Sequence, residues 1–241
     1  MAVPQASERV ALITGAGGGL GHALVNEFAA QAWRVVAASR APNPDALDDP
    51  IWSLSLDVTD RHQAKSVVAK IRERWNRIDL LINNAGAAAD SAVWEMDDAE
   101  FEKVLAVNLK GAFICSQMVL PVMLRQRDGQ IVNISSYSGR AGARGQSNYA
   151  AAKAGLFALT SSLALEVGSR NIRVNAVLPG VLPTKMTSHL DGEQLAAFTD
   201  ANALKRINSV EEVARFVAFL ATTRNISGQI FQLDSRISPW S

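Results

Sequence analysis

A short apolar run that breaks into glycines and then resumes as a helix constrains this chain more than any other feature. Arg9-Val10-Ala11-Leu12-Ile13-Thr14 reads as a buried strand, too brief for a helix and bounded by a turn signal. Gly15-Ala16-Gly17-Gly18-Gly19-Leu20-Gly21 follows at once, after which Leu24, Val25, Phe28 and Ala29 recur at helical spacing. The same turn suits an anion. Glycines let the backbone bend tightly and approach phosphates, while the unpaired N–H groups and the dipole of a helix start favour negative charge. Gly15, Gly17, Gly18, Gly19, Leu20 and Gly21 are therefore predicted to cradle the pyrophosphate of a dinucleotide. Their spacing is Thr-Gly-x-x-x-Gly-x-Gly, which differs from the common Gly-x-Gly-x-x-Gly fingerprint.

Strand and helix patterns alternate to the C-terminus without repeats or low-complexity linkers. Candidate strands are 10–14, 34–38, 52–56, 79–83, 130–135, 173–178 and 229–233. Several are near-continuous apolar runs, as a parallel sheet covered on both faces requires. The 241 residues suit one α/β domain, a Rossmann-type doubly wound parallel sheet of seven strands with helices on both faces. Its cofactor half would span about 8–135 and its catalytic and substrate half about 136–241. Between Arg40 and Pro50 the chain is short and proline-broken, predicting a lean loop and an open adenosine edge. Helices around 101–124 and 150–167 are apolar on more than one face, which predicts burial in the monomer or an oligomer. Ser209 and Glu212 suggest a capping box opening a late helix. The stretch 181–208 shows little periodicity and is expected to form a mobile lid.

Charge and cysteine content exclude other classes. With 24 basic and 23 acidic residues, no global field points to nucleic acid or an anionic membrane. The single Cys115 rules out an intrachain disulfide framework, fits a reducing compartment, and in its apolar setting reads as a packed small hydrophobe. The first residues lack a signal-peptide pattern, and no apolar run is expected to span a bilayer, so the cytoplasm is the expected location. His22, His62 and His189 show no metal-ligand spacing, and no metal is assigned.

Tyr149 and Lys153 sit one helical turn apart, and Ser136 lies thirteen residues before the tyrosine, at the end of an apolar strand. An ammonium beside a phenol favours the phenolate, so the Tyr149 pKa is expected to fall from its reference of about 10 towards neutrality. Such a tyrosine can give a proton to a carbonyl oxygen as hydride arrives, or take one from an alcohol in reverse. Ser136 and Tyr149 could both donate to the oxygen on which charge develops.

Taken together, these motifs resemble the short-chain dehydrogenase/reductase family over nearly the whole length. Thr14-Gly15-x-x-x-Gly19-x-Gly21 matches the family's cofactor turn, and Asn83-Asn84-Ala85-Gly86 the motif after its fourth strand. Asn108, Ser136, Tyr149 and Lys153 match its catalytic tetrad, and Pro179-Gly180 followed by Thr184 the segment over the nicotinamide. The resemblance implies that Tyr149 is the acid/base and that Lys153 lowers its pKa and holds the nicotinamide ribose. It further implies that Ser136 holds the substrate oxygen and that Asn108 positions water in a proton relay. A buried asparagine can also simply satisfy backbone groups. By the same resemblance Asp57 and Val58 flank the adenine, although Asp57 also reads as a turn former. Asn84, Ala85 and Gly86 pass the adenosine ribose, and Pro179, Gly180, Val181 and Thr184 border the nicotinamide.

Ser39 stands where an NAD enzyme carries a carboxylate, and Arg40 follows it. A guanidinium suits a 2′-phosphate, so NADPH is expected in preference to NADH. Within the family the chain looks most like β-ketoacyl-ACP reductases, which implies reduction of a 3-oxoacyl thioester on an acyl carrier protein, in fatty acid synthesis. Arg127 and Arg170 fall at the offsets of two carrier-docking arginines beside the active-site mouth; Arg140 and Arg144 could instead serve a small acidic substrate. The resemblance also implies a homotetramer. The C-terminus departs from the pattern: Leu233-Asp234-Ser235-Arg236 stands where a glycine pair commonly follows the aspartate, leaving the packing around Trp240 open. Two alternatives stand beside this one: a reductase or alcohol dehydrogenase for another ketone, sugar or steroid, and a non-catalytic dinucleotide sensor.

Overall fold

The computed structural model describes residues 9–42, 50–188 and 190–237. The proline-broken stretch at 43–49, His189 and Trp240 lie outside the described residues. Seven parallel strands form one sheet in the order β3-β2-β1-β4-β5-β6-β7. They are β1 (Val10–Thr14), β2 (Arg34–Ser39), β3 (Ile51–Ser55), β4 (Leu80–Asn83), β5 (Gly129–Ile134), β6 (Ile172–Leu178) and β7 (Ile230–Gln232). β1, β4 and β5 are buried along their whole length, the physical counterpart of their uninterrupted apolar sequences.

The helices divide between two faces. Leu24 and Phe28 of α1 (Gly19–Ala30) pack with Val213 and Val217 of α8 (Val210–Leu220) in one core. The other core joins Val67 and Ile71 of α2 (Arg61–Trp75), Ile114 and Val119 of α4 (Gly111–Gln126) and Leu163 of α6 (Ser147–Val167), which follows the single turn α5 (Ser138–Ala141). Chain order leaves β1 in one direction and β4 in the other, so a crevice opens at the carboxyl ends of these two neighbours.

Four expectations need correction. The helix foreseen at 101–124 is α3 (Asp98–Leu105), a π-helical turn over Ala106–Lys110, and then α4. The π turn re-aims one stretch of backbone within an otherwise continuous helix, as such turns commonly do at functional sites. The stretch 181–208 carries a 3-10 turn (Lys185–Thr187) and α7 (Gly192–Asp200), where Asp191 and Gln194 cap one another at 2.8 and 3.1 Å; weak periodicity concealed a strongly capped helix. At α8 only half of the capping box forms: Ser209 Oγ accepts from Glu212 N at 3.1 Å. Finally, two continuous helices, Asp98–Gln126 and Ser147–Arg170, are long and apolar enough to cross a bilayer by length and composition. Each presents an apolar side to the sheet instead. Neither helix is an unbroken apolar run, since polar residues such as Lys103, Lys110 and Lys153 interrupt them.

Candidate active site

Every residue singled out for cofactor or catalysis lies on or beside the carboxyl edge of the sheet. β1 delivers Thr14, whose hydroxyl donates to Ile82 O at 3.2 Å and accepts from the backbone of Asn84 and Ala85 at 3.0 and 3.1 Å. Asn84 Nδ2 returns to Thr14 O and Gly15 O, both at 3.1 Å, so the two cofactor motifs are stitched across the switch point. Gly15 turns at φ +65°, and a Cβ there would stand 2.7 Å from Ala85 Cα. A Cβ on Gly21 would meet Gly15 O at 2.2 Å, so helix and turn touch through bare backbone. Gly18 begins α1 without a side-chain cap, and no acidic residue occupies the first turn. That uncapped, glycine-lined helix start fits a pyrophosphate. Thr184 lies against it, with Cγ2 2.9 Å from the position a Cβ on Gly19 would take. The segment Pro179–Val181 is thereby carried towards the glycine turn.

Beyond the turn, Ser39 Oγ lies 3.7 Å from where a Gly17 Cβ would be and donates to Ala41 O at 2.8 Å; Arg40 is exposed. Asp57 is a turn former, accepting from Thr59 N and Oγ1 at 2.9 and 2.7 Å, and Val58 is buried beside it. Val58 packs on the backbone at the start of α4, where a Gly111 Cβ would sit 2.6 Å from its Cγ2.

The catalytic candidates converge from three elements. Asn108 sits on the π turn, 1% exposed, and donates through Nδ2 to Ala87 O at 2.7 Å and Val104 O at 2.9 Å. Its Oδ1 is buried without a protein partner. A Cβ on Gly86 would lie 3.0 Å from that oxygen and 3.8 Å from Lys153 Nζ, so Gly86 leaves room between the amide and the ammonium. Lys153 donates to Ile134 O at 2.9 Å and lies 5.4 Å from the centre of the Tyr149 ring. Ser136 follows β5, where its side chain favours ionisation of the Tyr149 phenol. Its rival Ser135 is 3% exposed and committed to Lys153 O at 2.8 Å, which leaves Ser136 as the available hydroxyl.

The expected fall in the Tyr149 pKa does not occur in the protein alone. Burial pushes the phenol up to about 12, against a lowering by Ser136 and with a further rise from the Asp90 carboxylate. Burial also brings Lys153 down to about 8. Desolvation outweighs pairing because the ammonium bonds a carbonyl of β5 rather than the phenol oxygen. Cys115 is buried and pushed up to about 12, which suits an inert thiol.

The docking expectation also changes. Arg127 ends α4 just before β5, and Arg170 lies just before β6, with Asn171 Nδ2 donating to Arg127 O at 3.3 Å. Both stand at the amino edge of the sheet, a full strand away from Ser136, rather than beside the site. The exposed arginines flanking the catalytic turn are Arg140 and Arg144.

Sequence reasoning missed a polar strap across the site. Asp90 Oδ2 accepts from Gln146 Nε2 at 2.8 Å, Gln146 Oε1 accepts from Ser138 Oγ at 3.1 Å, and Ser138 N donates to Ser136 Oγ at 3.2 Å. Asn148, fully buried, donates to Ala89 O at 2.9 Å and holds the same loop. The only signal was proximity in sequence to known motifs, which does not specify partners.

Residues 9–195 match the family described as short chain dehydrogenase. The 3-oxoacyl-(acyl-carrier-protein) reductase FabG of Thermotoga maritima is 40% identical over 236 residues, covering 94% of this chain and 96% of its own. That of Escherichia coli is 39% identical over 219 residues, covering 89% and 90%. Among solved structures, levodione reductase superposes with a TM-score of 0.88 at 32% identity, covering 95% of this chain and 96% of its own. ElxO with NADP bound gives 0.88 at 27% identity, covering 94% and 97%.

Proposed function

The chain belongs to the short-chain dehydrogenase family, and from that premise we propose that it reduces a 3-oxoacyl thioester, carried on an acyl carrier protein, to the 3-hydroxyacyl thioester with NADPH. The observation that carries this reading is the convergence of Ser136, Tyr149, Lys153 and Asn108 beside an uncapped glycine turn, in a chain 40% identical to a reductase of that name. When bound, the cofactor supplies the hydride. Gly15, Gly17, Gly18, Gly19, Leu20 and Gly21 would hold its pyrophosphate, with Asp57, Val58, Asn84, Ala85 and Gly86 along the adenosine and Pro179, Gly180, Val181 and Thr184 at the nicotinamide.

The remaining chemistry belongs to the protein. A phenol held near pKa 12 keeps its proton throughout the physiological range, so Tyr149 is set as a donor to the developing alkoxide. Ser136 donates to the same oxygen and spreads its charge. Lys153 stays largely protonated at neutral pH, oriented by Ile134 O, and favours the phenolate left behind. The unpartnered Oδ1 of Asn108 offers an acceptor for a water that returns a proton to this group.

Ser39 and Arg40 support NADPH over NADH, since an arginine can grip a 2′-phosphate where a carboxylate would repel it. A homotetramer fits the apolar side chains left exposed on α4, α6, α8 and β7, namely Phe113, Leu165, Phe219 and Ile230. Cytoplasmic location, a single domain and the absence of a resident metal complete the proposal. The second reading, reduction of another small ketone, is favoured by one observation: Arg127 and Arg170 do not flank the site of their own protomer. The intact tetrad counts against a non-catalytic sensor. Steady-state NADPH oxidation decides, comparing a 3-oxoacyl carrier substrate, a short acetoacetyl thioester and unrelated cyclic ketones. Efficient turnover of the ketones with none of the thioesters would overturn the substrate assignment.

A further inference from the structure

The divergent C-terminal segment folds back onto the catalytic turn. Arg236 lays its guanidinium over the Tyr137 ring, 3.7 Å from the centroid, and Tyr137 is the residue after Ser136. The guanidinium is gripped by Asp234, whose Oδ2 accepts from Nε at 2.6 Å and from Nη2; the two side chains are 12% and 3% exposed. Gln232 Nε2 secures the other carboxylate oxygen at 2.6 Å, and Arg140 Nη1 reaches Gln232 Oε1 at 3.4 Å. The carboxylate also leans on the nicotinamide segment: a Cβ on Gly180 would stand 2.8 Å from Asp234 Cβ. Ser235 accepts from the backbone of Ala203 and Leu204 at 3.0 and 3.1 Å, tying in the end of the 181–208 stretch.

We propose that Arg236 is a positioning residue for Ser136, clamping the Tyr137 ring so that the catalytic turn and the Gly180 segment are fixed against one another. The inference rests on the carbonyl-reductase reading. Two N–H groups donating to one carboxylate oxygen leave the guanidinium plane free to cover an aromatic face, a geometry lysine cannot reproduce. Ser138, Gln146 and Asp90 anchor the Ser136–Ser138 turn on one side and Arg236 on Tyr137 braces the other, and a small displacement of a donor at the reacting oxygen is costly in rate.

The test uses the full-length enzyme, NADPH and whichever ketone or thioester the wild type reduces, so that a wrong substrate does not sink it. R236A should lower kcat about tenfold with the NADPH dissociation constant unchanged, and R236K should recover little of the loss. Because R236A strands a buried carboxylate, Y137L serves as the second variant: it keeps the ion pair, removes the aromatic platform and should lower kcat similarly. Both effects should vanish in an S136A background. Wild-type kcat in R236A and Y137L, or an equal fall in the presence and absence of Ser136, overturns the proposal.

Discussion

The glycine turn after β1 and the C-terminal segment at residues 232–236 both border the site, yet they are built in opposite ways. The turn is mostly local: Gly15 and Gly21 meet through their own backbone. Its distant anchors are mainly backbone ones, the Thr14–Asn84 stitch and Ala16 N donating to Ala38 O at 3.1 Å, with Thr184 lying against Gly19. The C-terminal segment is assembled from afar: Arg236 reaches Tyr137, Gln232 meets Arg140 and Ser235 meets Asn202. A locally determined element tolerates changes elsewhere but not an added carbon at its closest approaches, here Gly15 and Gly21. An element held by long-range pairs should lose function in increments as pairs are removed.

The largest expected effect breaks the local element. Gly21→Val places carbon within 2.2 Å of Gly15 O, where backbone cannot yield cheaply. It should abolish NADPH binding and cost several kcal/mol of stability, about the cost of severe overpacking; fluorescence titration and thermal melting check both. Near-normal binding would show that the turn is not the rigid cradle described. Next comes Tyr149→Phe, which should cut turnover about 10²–10⁴-fold while leaving cofactor affinity and melting temperature intact. Parallel loss of folding would move Tyr149 from chemistry to structure.

Lys153 tests the long-range side through pH. Its folded pKa of about 8 lies below the ordinary lysine value of 10.5. Below pH 8 both folded and unfolded chains are protonated and the burial cost is fully present; between about 8 and 10.5 the unfolded chain holds more protons, so stability rises with pH. Lys153→Met should therefore be more stable than wild type at pH 7, by up to about 3 kcal/mol, with the gap closing towards pH 10.5. Denaturant unfolding at a series of pH values measures this, and a pH-independent gap would refute the buried-charge account.

Smaller effects sharpen the comparison. Arg40→Ala should lose NADPH efficiency about tenfold or more while sparing NADH, as expected for one charge-assisted contact. Equal losses with both cofactors would remove Arg40 from 2′-phosphate recognition. Smallest are charge reversals read at low salt with a carrier-bound substrate. Arg140→Glu and Arg144→Glu, at the site's rim, should slow turnover a few-fold through lost steering. Arg127→Glu with Arg170→Glu should do less unless a second protomer brings that edge to the mouth.

The doubly wound class follows from sequence because strands such as β1, β4 and β5 are apolar on both faces and alternate with helices, whereas the order β3-β2-β1-β4-β5-β6-β7 is set in the tertiary structure. The glycine turn, the Tyr149–Lys153 spacing and Ser136 were legible for the same reason: their geometry is set within one turn or one strand end. The proton affinities were not. Spacing placed an ammonium one turn from a phenol, but only packing revealed that Lys153 Nζ bonds Ile134 O and that both groups are desolvated. Nor did sequence show that Arg127 and Arg170 face away from the site, since distance along a strand becomes distance across the molecule only once the sheet is formed. Arg236 on Tyr137 belongs to the same class. Local backbone preferences and hydrophobic periodicity are properties of short segments and can be read there. Pairings between residues a hundred positions apart depend on how the layers stack, and burial then sets the energy of every charge they enclose.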